Sequence, residues 1–202
     1  PWGRELGLQI APDWLGENAG ARANSTDGGI RVAAFGGPAA GELNGDGRLD
    51  LAMPTVGLLG ALDKLLPHWQ PGHTQMMAWD LRTRAPLAGM PRRTKDLAFF
   101  VTPALVDVDG DGDLDTVAGH GVSLLESSDA HGDVAAGWPK LTGGWVVGTP
   151  SFGDGDGDGR AEVTVVRRDG WLQSWQTEAP TSELAAGWAR GGHDGTNAGA
   201  VP

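Results

Sequence analysis

The stretch "TPALVDVDGDGDLDTVAG" at residues 102–119 sets five aspartates at alternate positions between two apolar runs. Two other stretches follow the same plan, "GPAAGELNGDGRLDLAMP" at 37–54 and "TPSFGDGDGDGRAEVTVV" at 149–166. With Pro38, Pro103 and Pro150 aligned, the first acid comes four positions later in each copy (Glu42, Asp107, Asp154), and the later acids fall into register. Self-similarity of this kind marks a repeated supersecondary unit.

A second landmark repeats as "AGMP" at 88–91, "AGWP" at 136–139 and "AGWA" at 186–189, spaced 48 and 50 residues apart. The acidic stretches are spaced 65 and 47 residues, so the first unit carries roughly 17 extra residues. These are assigned to 55–73, "TVGLLGALDKLLPHWQPGH", as a short helix or a long loop.

Between the landmarks lie short β-type runs without a 3.6-residue stripe: 30–35, 49–54, 75–81, 98–103, 114–119, 145–150, 161–166 and 171–176. Units of about 45–50 residues built from short strands and Gly-rich turns predict an all-β fold of about three β-propeller blades of antiparallel strands. The predicted blades are 30–92 (with the insertion), 93–140 and 141–190. They are flanked by an extension or partial blade strand at 1–29 and a tail at 191–202. Three blades do not close a ring, so the open edges are expected to be covered by further blades, another protein chain or further copies.

Composition narrows the partners. The 202 residues carry a formal charge of −11, which offers no basic stripe to a nucleic acid. There is no cysteine, so neither disulfides nor thiol chemistry stiffen the Gly-rich loops. No apolar stretch approaches the ~18 residues of a membrane span, and no signal peptide is visible. A start at Pro1 reads as a processed product or a fragment.

The acidic loop suits a hard cation. Ca²⁺ takes six to eight oxygens, and alternate side chains at positions 1, 3, 5 and 9 can turn toward one point, with a backbone carbonyl from position 7. Glycines at positions 4 and 6 permit the partly left-handed path this requires. Without a cation, carboxylates ~5 Å apart repel by roughly 3 kcal/mol per pair at an effective dielectric near 20. Solvated Asp-Gly turns are the alternative, and three copies in register favour metal. An EF-hand is excluded, because position 12 is Met53, Ala118 or Val165 instead of Glu and β-type runs follow.

A Pro, four residues, D-x-D-G-D-G-x-x-D and then a strand, repeated at blade spacing, resembles the FG-GAP/VCBS type of β-propeller repeat found in the calcium-binding blades of integrin α-subunits. "AFGG" at 34–37 is similar to the Phe-Gly element that precedes such loops. "GWARGGHDGTNAG" at 187–199 is similar to the C-terminal tail of secreted proteins of this type, with Ala189 in place of the usual proline.

The resemblance implies up to three Ca²⁺ ions. The implied ligands are Glu42, Asn44, Asp46, Asp50 and the Arg48 carbonyl in the first loop, and Asp107, Asp109, Asp111, Asp115 and the Asp113 carbonyl in the second. In the third they are Asp154, Asp156, Asp158, Glu162 and the Arg160 carbonyl. The first loop, with Glu42 and neutral Asn44, is expected to bind most weakly and the second most tightly. The resemblance further implies an extracellular, cell-surface or periplasmic location and a non-catalytic binding or assembly role. The alternative is a carbohydrate-binding or polysaccharide-lyase propeller with a glycan partner.

Neither a G-x-S-x-G elbow nor a phosphate-binding G-x-x-x-x-G-K-[ST] loop is present. The five histidines (His68, His73, His120, His131, His193) lack metal spacing and are expected at the surface or in turns. Trp79, Trp138, Trp171, Trp175 and Trp188 are expected to pack between blades, with Trp69 and Trp145 the candidates for stacking on sugar.

Overall fold

The computed structural model describes residues 31–33, 37–57, 74–95, 98, 100–121, 123–184, 187–191 and 193. The β-type runs flanking each acidic loop pair with one another, so each loop becomes the connection of an antiparallel hairpin. The first sheet holds β1 (Arg31–Ala33), β2 (Ala39–Gly41), β3 (Asp50–Gly57), β4 (Thr74–Asp80) and β5 (Arg92–Arg93). Both β1 and β2 pair with β3, which continues to β4 and β5. The second sheet runs β6 (Ala104–Val106), β7 (Asp115–Gly119), β8 (Leu124–Ser128), β9 (Lys140–Leu141). The third runs β10 (Val146–Gly153), β11 (Arg160–Arg167), β12 (Leu172–Pro180) and is followed by a 3₁₀ turn at Thr181–Glu183. Every pairing is antiparallel.

The fold is therefore all-β in three small sheets, which do not close into a barrel or ring among the described residues. Their registers coincide. The residue before each loop pairs with the acid at position 9: Gly41 with Asp50, Val106 with Asp115, and Gly153 with Glu162. One cross-strand row is likewise repeated, as Ala39–Ala52–Ala78, Ala104–Val117–Ser127 and Ser151–Thr164–Ser174.

Strand alternation gives each sheet two faces, and the sheets stack in chain order. Ala39, Ala52 and Ala78 of the first sheet pack with Leu105 of the second, and Met76 packs with Ala118. The opposite face of the second sheet, with Ala104, Val117 and Leu125, packs on Val146, Val163 and Val165 of the third. Two glycines permit this approach: a Cβ at Gly41 would press on Leu105, and one at Gly119 would overlap the Val146 side chain.

Differences from the sequence expectation have local causes. The run 98–103 is not a strand, because Phe100 sits at φ 59° in the left-handed region and breaks the extended path; β6 starts only at Ala104. Within the expected insertion, 55–57 belongs to β3, and the remainder, 58–73, lies outside the described residues with Trp69, His68 and His73. The "AGWA" copy does not stay with the third sheet alone. Trp188 exchanges two backbone hydrogen bonds with Leu105 of the second sheet, and Phe152 N–H donates to the Ala189 carbonyl. Among the described residues no helix is long and apolar enough to cross a membrane.

Candidate metal centres

All three acidic loops fold through one hydrogen-bond network. The carboxylate at position 9 accepts the N–H of position 2: Leu43 to Asp50 Oδ2 at 3.0 Å, Val108 to Asp115 Oδ2 at 3.0 Å, and Gly155 to Glu162 Oε2 at 2.6 Å. The carboxylate at position 1 accepts the N–H of the position-4 glycine: Gly45 to Glu42 at 2.6 Å, Gly110 to Asp107 at 2.7 Å, and Gly157 to Asp154 at 2.6 Å. The carboxylate at position 5 accepts the N–H of position 7, where Arg48, Asp113 and Arg160 stand. The glycines at positions 4 and 6 are left-handed in every copy, with φ between 76° (Gly45) and 98° (Gly112). This is the backbone path that alternating glycines allow and side chains resist.

The loops differ in how many acids they gather. In the third, Asp154, Asp156, Asp158 and Glu162 offer oxygens all within 4.8 Å of one another. In the second, Asp107, Asp109 and Asp115 do so. Asp111 stands outside that set and accepts the Asp113 N–H at 2.9 Å. The first loop, with Asn44 in place of an acid, does not bring three acids together; the Asn44 amide donates to Asp50 Oδ1 at 3.4 Å. The greater acid content of the second loop thus does not translate into the larger converging set.

Burial separates them too. Asp107 and Asp115 are 5 % and 3 % exposed, whereas the third loop is largely open to solvent. The end of β12 covers the second loop, where Glu178 N–H donates to the Val108 carbonyl. Burial pushes the Asp115 carboxyl up to about 7, against the bond from Val108, and Asp109, Asp111 and Asp107 add to the rise. Asp50 is raised to about 6 by burial, opposed by the Leu43 N–H and assisted by Asp46, Asp80 and Glu42. Each is a carboxylate whose charge one backbone N–H compensates only in part.

The donor set, carboxylate and amide oxygens on a Gly-rich loop, fits a hard divalent cation. In the third loop Glu162 Oε1 is buried without a hydrogen-bond partner, while Oε2 is used by Gly155, so one oxygen stays available to an ion. Several neighbours carry no signal in the loop sequences themselves. Ala136 N–H holds Asp109 Oδ2 at 2.9 Å, Gln176 Nε2 approaches Asp158 at 3.4 Å, and Thr181 Oγ1 lies 3.5 Å from Asp154 Oδ2. The Ala136 contact comes from the repeated "AGWP" landmark, so the spacing of the landmarks is its visible trace.

Histidine and tryptophan placements need correction. His120 is fully buried, with Nε2 3.1 Å from Glu126 Oε2, and Arg92 of the first sheet lies 3.8 Å from the same oxygen. His193 is also buried, edge-on to Trp188 at 5.3 Å; only His131 is an exposed turn histidine among the described residues. Trp171, expected between blades, is 65 % exposed at the β11–β12 turn. Trp79 and Trp188 are buried, while Trp138 and Trp175 pack partly buried against the core.

No protein-family model matches the chain, and no curated protein matches it.

Proposed function

We propose that the chain is a calcium-stabilised module of the FG-GAP/VCBS β-propeller type, working outside the cytoplasm as a non-catalytic protein-binding or assembly unit. The hydrogen-bond network shared by the three loops carries this reading. Asx turns account for the position-5 bond by themselves, but the clasps made by positions 1 and 9 recur in all three copies and leave the acids converging, which favours a cation held by the same positions. The Asp154 and Asp107 loops are the stronger candidates and the Glu42 loop the weaker. When bound, the ion supplies positive charge and coordination, while the chain supplies converging oxygens and the amide bonds that orient them.

Calcium titration by calorimetry, with melting curves in EDTA and in millimolar Ca²⁺, tests the reading. Extracellular modules bind at about 10⁻⁴–10⁻³ M, and an ion at about 100 times its Kd stabilises the folded state by ~2.7 kcal/mol. No heat of binding and no rise in Tm would remove the premise. The carbohydrate-binding or lyase alternative has the exposed Trp171 in its favour. A glycan array and a lyase assay on acidic polysaccharides separate it from the assembly role.

A further inference from the structure

We infer that residues 176–181 couple the second and third acidic loops, so that a cation held in either loop raises the affinity of the other. The inference concerns the regulation of the candidate metal centres and rests on the calcium reading proposed above.

The coupling segment arises where β11 and β12 fall out of step. Arg160 pairs with Pro180 and Glu162 with Gln176, so 177–179 of β12 stand opposite Ala161 alone. A bulge bends its strand away from the ladder, and here its middle residue, Glu178, meets the second loop. Glu178 N–H donates to the Val108 carbonyl at 3.2 Å, and Val108 is the residue whose own N–H clasps Asp115. A Cβ at Gly110, whose N–H holds Asp107, would lie 3.6 Å from Glu178 Cβ and from its carbonyl oxygen. The bulge therefore rests on positions 2 and 4 of the second loop.

The residues on both sides of Glu178 hold the third loop. Thr177 Oγ1 donates to the Ala161 carbonyl at 2.6 Å and Thr181 N–H to the Gly159 carbonyl at 3.0 Å. The carbonyls before and after the implied Arg160 ligand are thus both fixed by this segment. Thr181 Oγ1 lies 3.5 Å from Asp154 Oδ2, Gln176 Nε2 lies 3.4 Å from Asp158 Oδ1, and the Glu178 carboxylate pairs with the Arg160 side chain. Closing the third loop on an ion holds these bonds in place and, with them, the Glu178 amide. The second loop then takes up its ion with part of its ordering already done. Linkage makes the effect reciprocal. Its sign is informative, because two cations acting through charge alone repel and would weaken one another's binding.

Calcium titration of the isotope-labelled full chain by NMR tests this, with the Gly112 and Gly159 amides reading the second and third loops separately. Asp156→Asn with Asp158→Asn disables the third loop, and Asp109→Asn with Asp111→Asn the second; both pairs keep the clasps made by positions 1 and 9. At about 0.5 M KCl, which screens the charges removed from the distant loop, each pair is expected to raise the calcium midpoint of the remaining loop. A coupling factor of about ten raises each midpoint about threefold when the two loops bind alike. Amide exchange gives a readout independent of affinity. With the second loop disabled, calcium should still slow the Glu178 amide, whose acceptor belongs to that loop, more than it slows amides of the first sheet. Midpoints that stay the same or fall, or a Glu178 amide that calcium does not slow in that variant, overturn the coupling and leave the calcium reading standing. A wild-type chain that takes up no calcium overturns both.

Discussion

The Val108 amide donates to Asp115 Oδ2 at 3.0 Å across seven residues, clasping the second acidic loop at its neck. Asp115 is 3 % exposed, so this one bond fixes a carboxylate whose charge water hardly reaches. The same clasp closes the other two loops.

Asp115→Asn should therefore act in opposite directions with and without cation. Asn retains an oxygen for Val108 N–H but removes the charge whose burial raises the carboxyl to about 7. In EDTA at neutral pH the variant should be more stable, on the order of 2 kcal/mol. In calcium it should lose the ion-dependent gain of that loop. Paired denaturant titrations check both signs.

Metal-free stability should fall as pH rises from about 4 to about 7. Asp115 and Asp50 are raised from the usual 3.8 to about 7 and about 6. Between those limits the folded chain keeps protons that the unfolded chain has released, which disfavours folding as pH climbs. Saturating calcium replaces the protons, so the slope should vanish and calcium affinity should increase with pH. Tm measured from about pH 4.5 to about pH 7.5 in EDTA and in calcium tests this; a slope of the opposite sign in EDTA would contradict it.

The acidic loops were legible in sequence because their bonds span nine residues or fewer, so spacing encodes geometry. Strands beside them, such as 114–119 and 161–166, followed from apolar β-type runs. Phe100 defeated the run 98–103 because nothing in its neighbours signals a left-handed aromatic residue. The contact of Arg92 with Glu126 joins sites 34 residues apart on different sheets, and only stacking brings them together. Trp171 resembles the packed tryptophans in its surroundings, but it lies at a hairpin end and is largely exposed.

Two glycine substitutions should fail for different reasons. Gly112 has φ 98° and open space where a Cβ would stand, so Gly112→Ala should cost about 1–2 kcal/mol from backbone strain alone. At Gly89 the φ is not left-handed, but a Cβ would overlap the His131 carbonyl, so Gly89→Ala should cost about 3 kcal/mol or more. Calcium should recover part of the first loss and none of the second, as read from midpoints with and without the ion.

Glu126→Gln should loosen the first sheet from the second. Burial alone would raise the Glu126 carboxyl, but the bond and charge of His120, with Arg92 and the Lys95 amide, hold it below the usual 4.5. A depressed carboxylate stabilises the fold above 4.5, and that contribution disappears as pH falls through its folded value. The variant should lose about 3 kcal/mol at pH 7 and show a flatter acid limb. An unchanged acid limb would show that the pair does not contribute.

Trp171→Ala and Trp79→Ala should separate surface from core. Trp171 is 65 % exposed at the turn after β11, so its removal should alter stability by no more than about 0.5 kcal/mol. Trp79 is 1 % exposed and packs with Met53 and Met77, so its truncation should cost about 3–5 kcal/mol through lost contacts and a cavity. Emission spectra give an independent check, since Trp171→Ala should remove a red-shifted component and leave the blue-shifted core signal in place. If Trp171→Ala instead costs as much as Trp79→Ala, the turn is packed against another surface in solution.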